Sequence, residues 1–135
     1  MKPSLQNRVR DRAEHRCEYC GLPQAAVPAI AFHVEHILPT KHGGTDAPNN
    51  LALACYFCNL HKGPNLTGID PRSQAIVPLF HPRRHRWTRH YRWAGPVLMG
   101  RTATGRATVR VLAVNLPHRV RLRKRLMEAG LFPMR

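Results

Sequence analysis

Two short stretches of the chain concentrate side chains that bind metal ions and move protons. Residues 32–39 read FHVEHILP, and residues 49–63 read NNLALACYFCNLHKG. Together they contain imidazoles, a carboxylate, amides and two thiols, a mixture far denser than folding alone requires. Imidazole changes its protonation state near neutral pH, and carboxylate and amide oxygens suit hard divalent cations. These stretches therefore predict a reactive site.

The four cysteines form two pairs with the same spacing, Cys17-x-x-Cys20 and Cys55-x-x-Cys58. A two-residue gap lets both sulfurs of a pair turn toward one ion, and four thiolates are a common ligand set for structural zinc. The 34 residues between the pairs exceed the roughly 15–20 of compact zinc fingers, so we expect an inserted hairpin there. Free buried thiols are the alternative interpretation. Four sulfur ligands would leave no open position, which argues against a catalytic zinc ion.

Several local patterns predict the elements that position these groups. Apolar residues recur every four positions over residues 4–15, which predicts a helix with Ser4 as its N-cap. Residues 30–38 are rich in β-branched and aromatic side chains and predict a strand. We expect residues 51–55 to pair with it as an antiparallel strand, and residues 56–61 to continue as a helix.

The second half of the chain gives weaker structural signals. We expect a loop over residues 65–71 and a strand over residues 75–80. We also expect a helix that Thr104 caps and that runs to about Val114, and a last helix that starts at Pro117.

Residues 83–93, RRHRWTRHYRW, alternate cations with aromatic rings. This pattern suits phosphate contact combined with stacking on bases or sugars. The alternative is that Trp87, Tyr91 and Trp93 pack the core of a strand whose other face is solvated. The two interpretations are compatible.

Charge is large and unevenly placed. The 135 residues include 22 Lys and Arg against 7 Asp and Glu, a formal net charge of +15. Residues 1–63 hold 7 basic against 5 acidic residues, whereas residues 64–135 hold 15 against 2. Such a surplus favours a polyanionic partner, of which nucleic acid is the commonest. A cationic surface that only maintains solubility is the alternative.

The sequence also favours a location without membrane contact. Nowhere does it approach the roughly 18–20 consecutive apolar residues of a membrane span, and its first residues lack the apolar segment of a signal peptide. We therefore expect a cytoplasmic protein without membrane partners. Its cysteines would stay reduced there, which favours metal ligation over disulfides.

The motifs taken together resemble one known family. They are His33-Val34-Glu35-His36-Ile37-Leu38-Pro39, Gly43-Gly44, Asn49-Asn50-Leu51 and Cys55-x-x-Cys58-Asn59-x-x-Lys62-Gly63. This series resembles the HNH endonucleases of the zinc-bearing ββα-metal type over residues 17–63. The rest of the chain is similar to an extension found in small bacterial members.

The resemblance implies an α+β fold, with a hairpin–helix core and zinc knuckles in residues 1–64. It implies a basic, mixed or helical extension in residues 65–135 that packs on this core and contacts nucleic acid.

The resemblance also implies roles for individual residues. His36 matches the general base that takes a proton from the attacking water, and Asn50 matches the asparagine that orients this base. Glu35 stands where the family usually has aspartate, a ligand of one Mg²⁺ or Mn²⁺. Asn59 matches the last ligand of that ion, with His61 as an alternative. A helix turns about 200° over two residues, so both can hardly face one ion, and we favour Asn59.

The expected activity is metal-dependent hydrolysis of DNA phosphodiester bonds, with a 5′ phosphate and a 3′ hydroxyl as products. The expected cofactors are a structural Zn²⁺ and a catalytic Mg²⁺ or Mn²⁺, with no organic cofactor. Two alternatives remain open: a non-catalytic, zinc-stabilised nucleic-acid-binding module and an RNA-directed nuclease. The candidate contacts to nucleic acid are basic side chains, namely Lys62, Arg83, Arg84, Arg86 and Arg89.

Overall fold

The computed structural model describes residues 1–133 of the chain. The helices are α1 (Pro3–Arg12), α2 (Tyr56–Lys62), α3 (Trp87–His90), α4 (Ala103–Val111) and α5 (Pro117–Glu128). The strands are β1 (Phe32–His36), β2 (Leu51–Cys55), β3 (Thr67–Ile69), β4 (Ile76–Pro78), β5 (Tyr91–Ala94) and β6 (Val97–Gly100). They pair in sequence order as three two-stranded antiparallel sheets, β1–β2, β3–β4 and β5–β6. The predicted α+β class is confirmed.

The β1–β2 hairpin and α2 hold the predicted reactive residues. The register places Glu35 opposite Ala52 and His36 opposite Leu51. Every residue of β2 is buried, because it alternates leucine with alanine and is packed on both faces. Helix α2 follows β2 without a loop, and the thiol of Cys55 at its N-cap accepts a hydrogen bond from the Cys58 amide. The strand at Leu51–Cys55 and the helix after it were both predicted.

The first helix differs from the prediction at both ends. It starts at Pro3 with Lys2 as the N-cap residue, and no side chain caps it. Proline suits the first helical position because its fixed φ matches the helix and its missing N–H is not needed there. Ser4 therefore lies inside the helix and is not its cap. The helix ends at Arg12, and the left-handed φ of His15, 55°, excludes a helix to that residue.

Two strands of the second half were not predicted. Strand β3 lies inside residues 65–71, which were expected to be a loop, and β6 had no prediction at all. Strands of three or four residues are too short to show an alternating pattern. At Gly68 the close packing of β3 against α4 requires glycine, because a Cβ there would lie 2.7 Å from Val111 Cγ2.

Two helices of the second half, α4 and α5, were predicted more closely. Helix α3 was not predicted, because a strand was the element considered for its residues. Helix α5 starts at Pro117 as expected. Helix α4 ends at Val111 instead of Val114, and its N-cap is Thr102 instead of Thr104. The Thr102 hydroxyl accepts a hydrogen bond of 3.0 Å from the Gly105 amide.

The two halves of the chain share one hydrophobic core. It includes Leu22 and Leu53 from the first half and Phe80, Leu98 and Leu112 from the second. Hydrogen bonds also join the halves, since the indole of Trp87 donates to the carbonyl of Tyr19 over 2.8 Å. Residues 65–133 therefore take part in the packing that positions the reactive residues. Within residues 1–133, no helix combines the length and the apolar character that a bilayer crossing requires.

Candidate metal centre and active-site cleft

The four cysteines meet in a buried cluster with the dimensions of a zinc site. Their sulfur atoms all lie within 4.8 Å of one another, and the Cys20 and Cys55 sulfurs are 3.8 Å apart. A tetrahedron with Zn–S bonds of about 2.3 Å requires sulfur atoms about 3.8 Å apart. Each thiol is at most 2% exposed, and none forms a disulfide. The cluster therefore fits a structural zinc ion, as predicted.

Both cysteine pairs use the same local geometry. The Cys20 amide lies 3.4 Å from the Cys17 sulfur, and the Cys58 amide lies 3.5 Å from the Cys55 sulfur. Backbone N–H groups directed at sulfur stabilise the thiolate form that binds metal. The first pair follows α1 and the second spans the junction of β2 with α2, so an ion bound there would tie these elements together.

A buried arginine from the second half reaches this cluster. The guanidinium of Arg119 donates to the Cys58 sulfur over 3.1 Å and to the carbonyl of Leu112 over 2.7 Å. It also lies over the ring of Phe57, 5.3 Å from the centroid. Arg119 is only 2% exposed, so its charge faces the thiols and not solvent. Sequence reasoning missed this contact, since Arg119 is one of five cations in a strongly basic helix.

A second site is an open cleft of about 410 Å³ between β1, the loop after it and the end of α2. Glu35, His36 and Asn59 line it, so the structure brings together three of the four predicted catalytic-site residues. Asn59 is half-buried. His61 is not among the lining residues, in agreement with the rotation of about 200° between the two positions.

Glu35 lies at the inner wall of the cleft and is already bonded at both oxygens. Lys62 Nζ donates to its Oε2 over 3.0 Å, and the Tyr19 hydroxyl donates to its Oε1. The side chain is 8% exposed. Burial raises the pKa of Glu35, and the charge of Lys62 acts in the opposite direction. A divalent ion at this carboxylate would therefore have to share it with the ammonium group or displace that group.

Lys62 belongs to this buried network, which corrects its assignment as a nucleic-acid contact. Its ammonium also donates to the carbonyls of His36 and Ile37, over 3.2 and 3.1 Å. The residue is 2% exposed, so its charge does not reach a phosphate on the surface. Instead it holds the end of β1 against the end of α2.

His36 is paired with a carboxylate that sequence reasoning missed. Its Nε2 lies 2.6 Å from Oδ1 of Asp46, and the two side chains are 24% and 56% exposed. The hydrogen bond from His36 lowers the pKa of Asp46. Asp46 is the only acidic residue between Glu35 and Asp70 in the sequence. That isolation was the one signal that could have identified it.

Asn50 holds the loop that follows His36 and does not line the cleft. Its side-chain oxygen accepts from the Leu38 amide over 2.8 Å, and its amide nitrogen donates to the carbonyls of Leu38 and Thr45 over 3.0 and 2.9 Å. The loop passes so close to itself that a Cβ at Gly44 would lie 1.7 Å from the Leu38 oxygen. Asn50 thus fixes the backbone immediately after His36.

The predicted basic surface divides into exposed and buried members. Arg84, Arg86 and Arg89 are exposed, and with His85, Thr88 and His90 they line a shallow depression. Arg83 instead forms an ion pair with Glu18, with side chains 17% and 13% exposed. Burial, and secondarily the charge of Arg12, lowers the pKa of Arg83 to about 10. Arg83 therefore stabilises the fold, which corrects its assignment to the nucleic-acid surface.

The comparison with known families agrees with the site geometry. The family model described as HNH endonuclease matches residues 17–65. This segment contains the four cysteines and every residue of the cleft described above. No curated protein and no solved structure matches the chain.

Proposed function

We propose that the chain, whose residues 17–65 belong to the HNH endonuclease family, is a metal-dependent endonuclease that hydrolyses DNA phosphodiester bonds. The observation that carries the proposal is the cleft in which His36, Glu35 and Asn59 meet. The hairpin of β1 and β2 with α2 is its proposed ββα-metal core. Residues 65–135 form the proposed basic extension that contacts nucleic acid. A cytoplasmic location would keep the four thiols reduced.

In this proposal His36 is the general base. When its Nε2–H donates to Asp46, the other ring nitrogen, Nδ1, has a free lone pair that can accept a proton from water. The 2.6 Å contact fixes this tautomer and stabilises the imidazolium that forms as the water attacks phosphorus. Asp46 therefore acts through His36 as a positioning residue.

Glu35 and Asn59 are the proposed ligands of the divalent ion. Mg²⁺ or Mn²⁺ bound there would neutralise charge on the phosphate and on the leaving 3′ oxygen. The amide oxygen of Asn59 faces no competing donor among residues 1–133, whereas Glu35 is already bonded to Lys62. Carboxylate oxygens have additional lone pairs, so Glu35 can accept a further partner while it keeps this bond.

Asn50 supports the base through the backbone. Its bonds to Leu38 and Thr45 hold the segment between His36 and Asp46 in one conformation. The distance between these two side chains depends on that segment. Asn50 is therefore proposed to keep the His36–Asp46 pair formed.

The test is cleavage of supercoiled plasmid by the purified chain in Mg²⁺ or Mn²⁺. We expect nicked or linear product, and we expect His36→Ala to abolish it while DNA binding is unchanged. His15→Ala is the matched control, because His15 is an exposed histidine paired with Asp11 outside the cleft. A His36→Ala protein that cleaves as fast as the parent would contradict the assigned role.

One observation favours a second candidate, a non-catalytic nucleic-acid-binding module. The Glu35–Lys62 pair places a protein cation where a catalytic site would hold a metal ion. If this pair excludes the ion, the chain binds DNA but does not cut it in Mg²⁺, Mn²⁺ or other divalent cations. The same assay with an RNA substrate distinguishes an RNA-directed nuclease from a DNA-directed one.

A further inference from the structure

A cavity outside the cleft is walled by aromatic rings. It has a volume of about 250 Å³, and we call it the aromatic pocket. Its rings belong to Phe80, His85, Trp87, Trp93 and Phe132. The two tryptophans are the only ones in the chain and are both half-buried. Aromatic surface that the core does not fully cover is available for stacking.

The rings of the aromatic pocket are held in place by their neighbours. Trp87 is fixed by its hydrogen bond to the Tyr19 carbonyl. Trp93 packs edge-on against Phe132, with centroids 5.0 Å apart, and its face meets the guanidinium of Arg123 at 5.4 Å. The pocket is therefore largely pre-formed, which lowers the entropic cost of binding.

Exposed positive charge adjoins the aromatic pocket. Arg84, Arg86 and Arg89, which we call the arginine patch, border a depression that shares His85 with the pocket. Among residues 1–133, no carboxylate lines that depression. Glu18 is the one acidic side chain that lines the pocket within the described part of the chain. It is neutralised by Arg83 and accepts a hydrogen bond from the Leu53 amide. A ligand that reaches the pocket across the patch therefore meets uncompensated positive charge.

A groove extends from the arginine patch toward the cleft. It shares Arg84 and His85 with the depression that the patch borders, and Phe80 and His85 with the aromatic pocket. At its other end the groove is lined by Leu38 and Asn65, whose chain neighbours Pro39 and Pro64 line the cleft. The groove thus shares residues with the depression and the pocket, and at its other end it comes within one chain position of residues that line the cleft.

We propose that the aromatic pocket binds an unpaired nucleobase of the same nucleic-acid strand whose phosphate lies in the cleft. This inference rests on the proposed function for the identity of the ligand. The arginine patch can contact the phosphates of a nucleic-acid strand, and the rings of the aromatic pocket can stack on one of its bases. A paired base inside a duplex has both faces covered by its neighbours and does not enter such a pocket. The substrate is therefore single-stranded, or locally unpaired, next to the cleavage site.

The tryptophan fluorescence of the protein tests this inference directly, because both tryptophans line the aromatic pocket. The full chain is titrated without added Mg²⁺ or Mn²⁺, so that no strand is cut. The ligands are a single-stranded oligonucleotide, a duplex of the same length, and an oligonucleotide of the same length built from abasic residues. Affinity is measured separately by fluorescence anisotropy of a dye on each ligand.

We expect the single strand to quench the tryptophans and to bind about tenfold more tightly than the abasic strand, because one stacked base contributes about that much. The abasic strand should bind the patch without quenching. Trp87→Phe and Trp93→Phe, each retaining one tryptophan and checked for fold by circular dichroism, should both remain quenched by the single strand. Arg86→Gln should weaken the binding of the single strand and of the abasic strand by the same factor. The control is Arg110→Gln, which changes an exposed arginine on α4 and should weaken the binding of neither strand.

Equal affinity for the single and abasic strands, or binding of the single strand without quenching, overturns the inference. Preference for the intact duplex over the single strand overturns it as well. None of these outcomes depends on cleavage. The inference about the aromatic pocket can therefore be wrong even if the protein cleaves plasmid, and it can be correct even if the protein does not.

Discussion

The thiol cluster and the candidate active-site cleft lie at opposite ends of α2 and differ in their exposure to solvent. At the cluster, four sulfurs are at most 2% exposed, and the cavity at its edge measures only about 10 Å³. At the cleft, His36 lines a space of about 410 Å³, and its side chain is 24% exposed. Its partner Asp46 is 56% exposed. A structural metal site is closed by protein ligands, whereas a catalytic one must leave room for water and phosphate. The difference supports a structural role for the cluster and the proposed catalytic role for the cleft.

The two regions also share a feature, since each contains one buried cation. Arg119 donates to a sulfur of the cluster, and Lys62 donates to the carboxylate of the cleft. Both are 2% exposed. A buried negative group needs a partner, because its desolvation is otherwise too costly. The comparison predicts that loss of the cluster or of either cation costs stability, while loss of the exposed Asp46 costs activity alone.

Removal of zinc should have the largest effect. Four-thiolate sites contribute roughly 10–16 kcal/mol of apparent binding free energy in small domains, which exceeds the stability of a chain of this size. We expect about one zinc per chain by elemental analysis and loss of cooperative thermal unfolding after chelation. If the protein without zinc is folded and still unfolds cooperatively, the cluster does not have the structural role assigned to it.

Lys62→Met should destabilise the protein by about 3 kcal/mol, because it leaves the buried carboxylate of Glu35 without its cation. The measurement is the free energy of unfolding in urea. Glu35→Gln combined with Lys62→Met should recover part of the loss, since no buried charge then remains. If the single and double variants are equally unstable, the interaction between the two side chains is not what stabilises this wall of the cleft.

Arg119→Met should destabilise the cluster by about 2 kcal/mol, the value typical of a hydrogen bond to a charged group. We expect faster transfer of zinc to a colorimetric chelator. Arg123→Met is the matched control, because Arg123 is also 2% exposed on α5 but bonds Pro96 and Asn115 instead of sulfur. Equal rates of zinc loss from the two variants would show that the guanidinium–sulfur contact has no specific effect.

Asp46→Asn should have the smallest effect on stability and a clear effect on rate. Because Asp46 is exposed, its replacement leaves the unfolding transition unchanged. We expect plasmid cleavage to slow by about tenfold to a hundredfold, since His36 loses the group that fixes its tautomer. Glu14→Gln, an exposed acidic residue outside the cleft, should cleave like the parent.

The sequence was sufficient for features that depend on local spacing. Paired cysteines predicted the metal cluster, and β2 with the helix after it was predicted because the apolar run and the second cysteine pair adjoin in the chain. The family resemblance, drawn from the same motifs, is confirmed for residues 17–65. Glu35, His36 and Asn59 were expected to meet, and they line one cleft.

The sequence was insufficient where a contact joins distant segments. Lys62 and Arg83 are basic residues of the kind typical of a nucleic-acid-binding surface. Lys62 instead pairs with Glu35, 27 positions earlier, and Arg83 pairs with Glu18, 65 positions earlier. Arg119 reaches a sulfur 61 positions earlier. No periodicity or spacing encodes such pairs, because they depend on how the second half packs against the first. Strands β3 and β6 were missed for a different reason, their shortness.

The most direct test of the account is the rate of plasmid nicking by the parent and His36→Ala proteins in Mg²⁺, at equal zinc content and equal DNA binding. The account predicts metal-dependent nicking by the parent and none by the variant. Equal rates, or a parent that binds DNA without ever cutting it, would contradict the proposal that this cleft hydrolyses phosphodiester bonds.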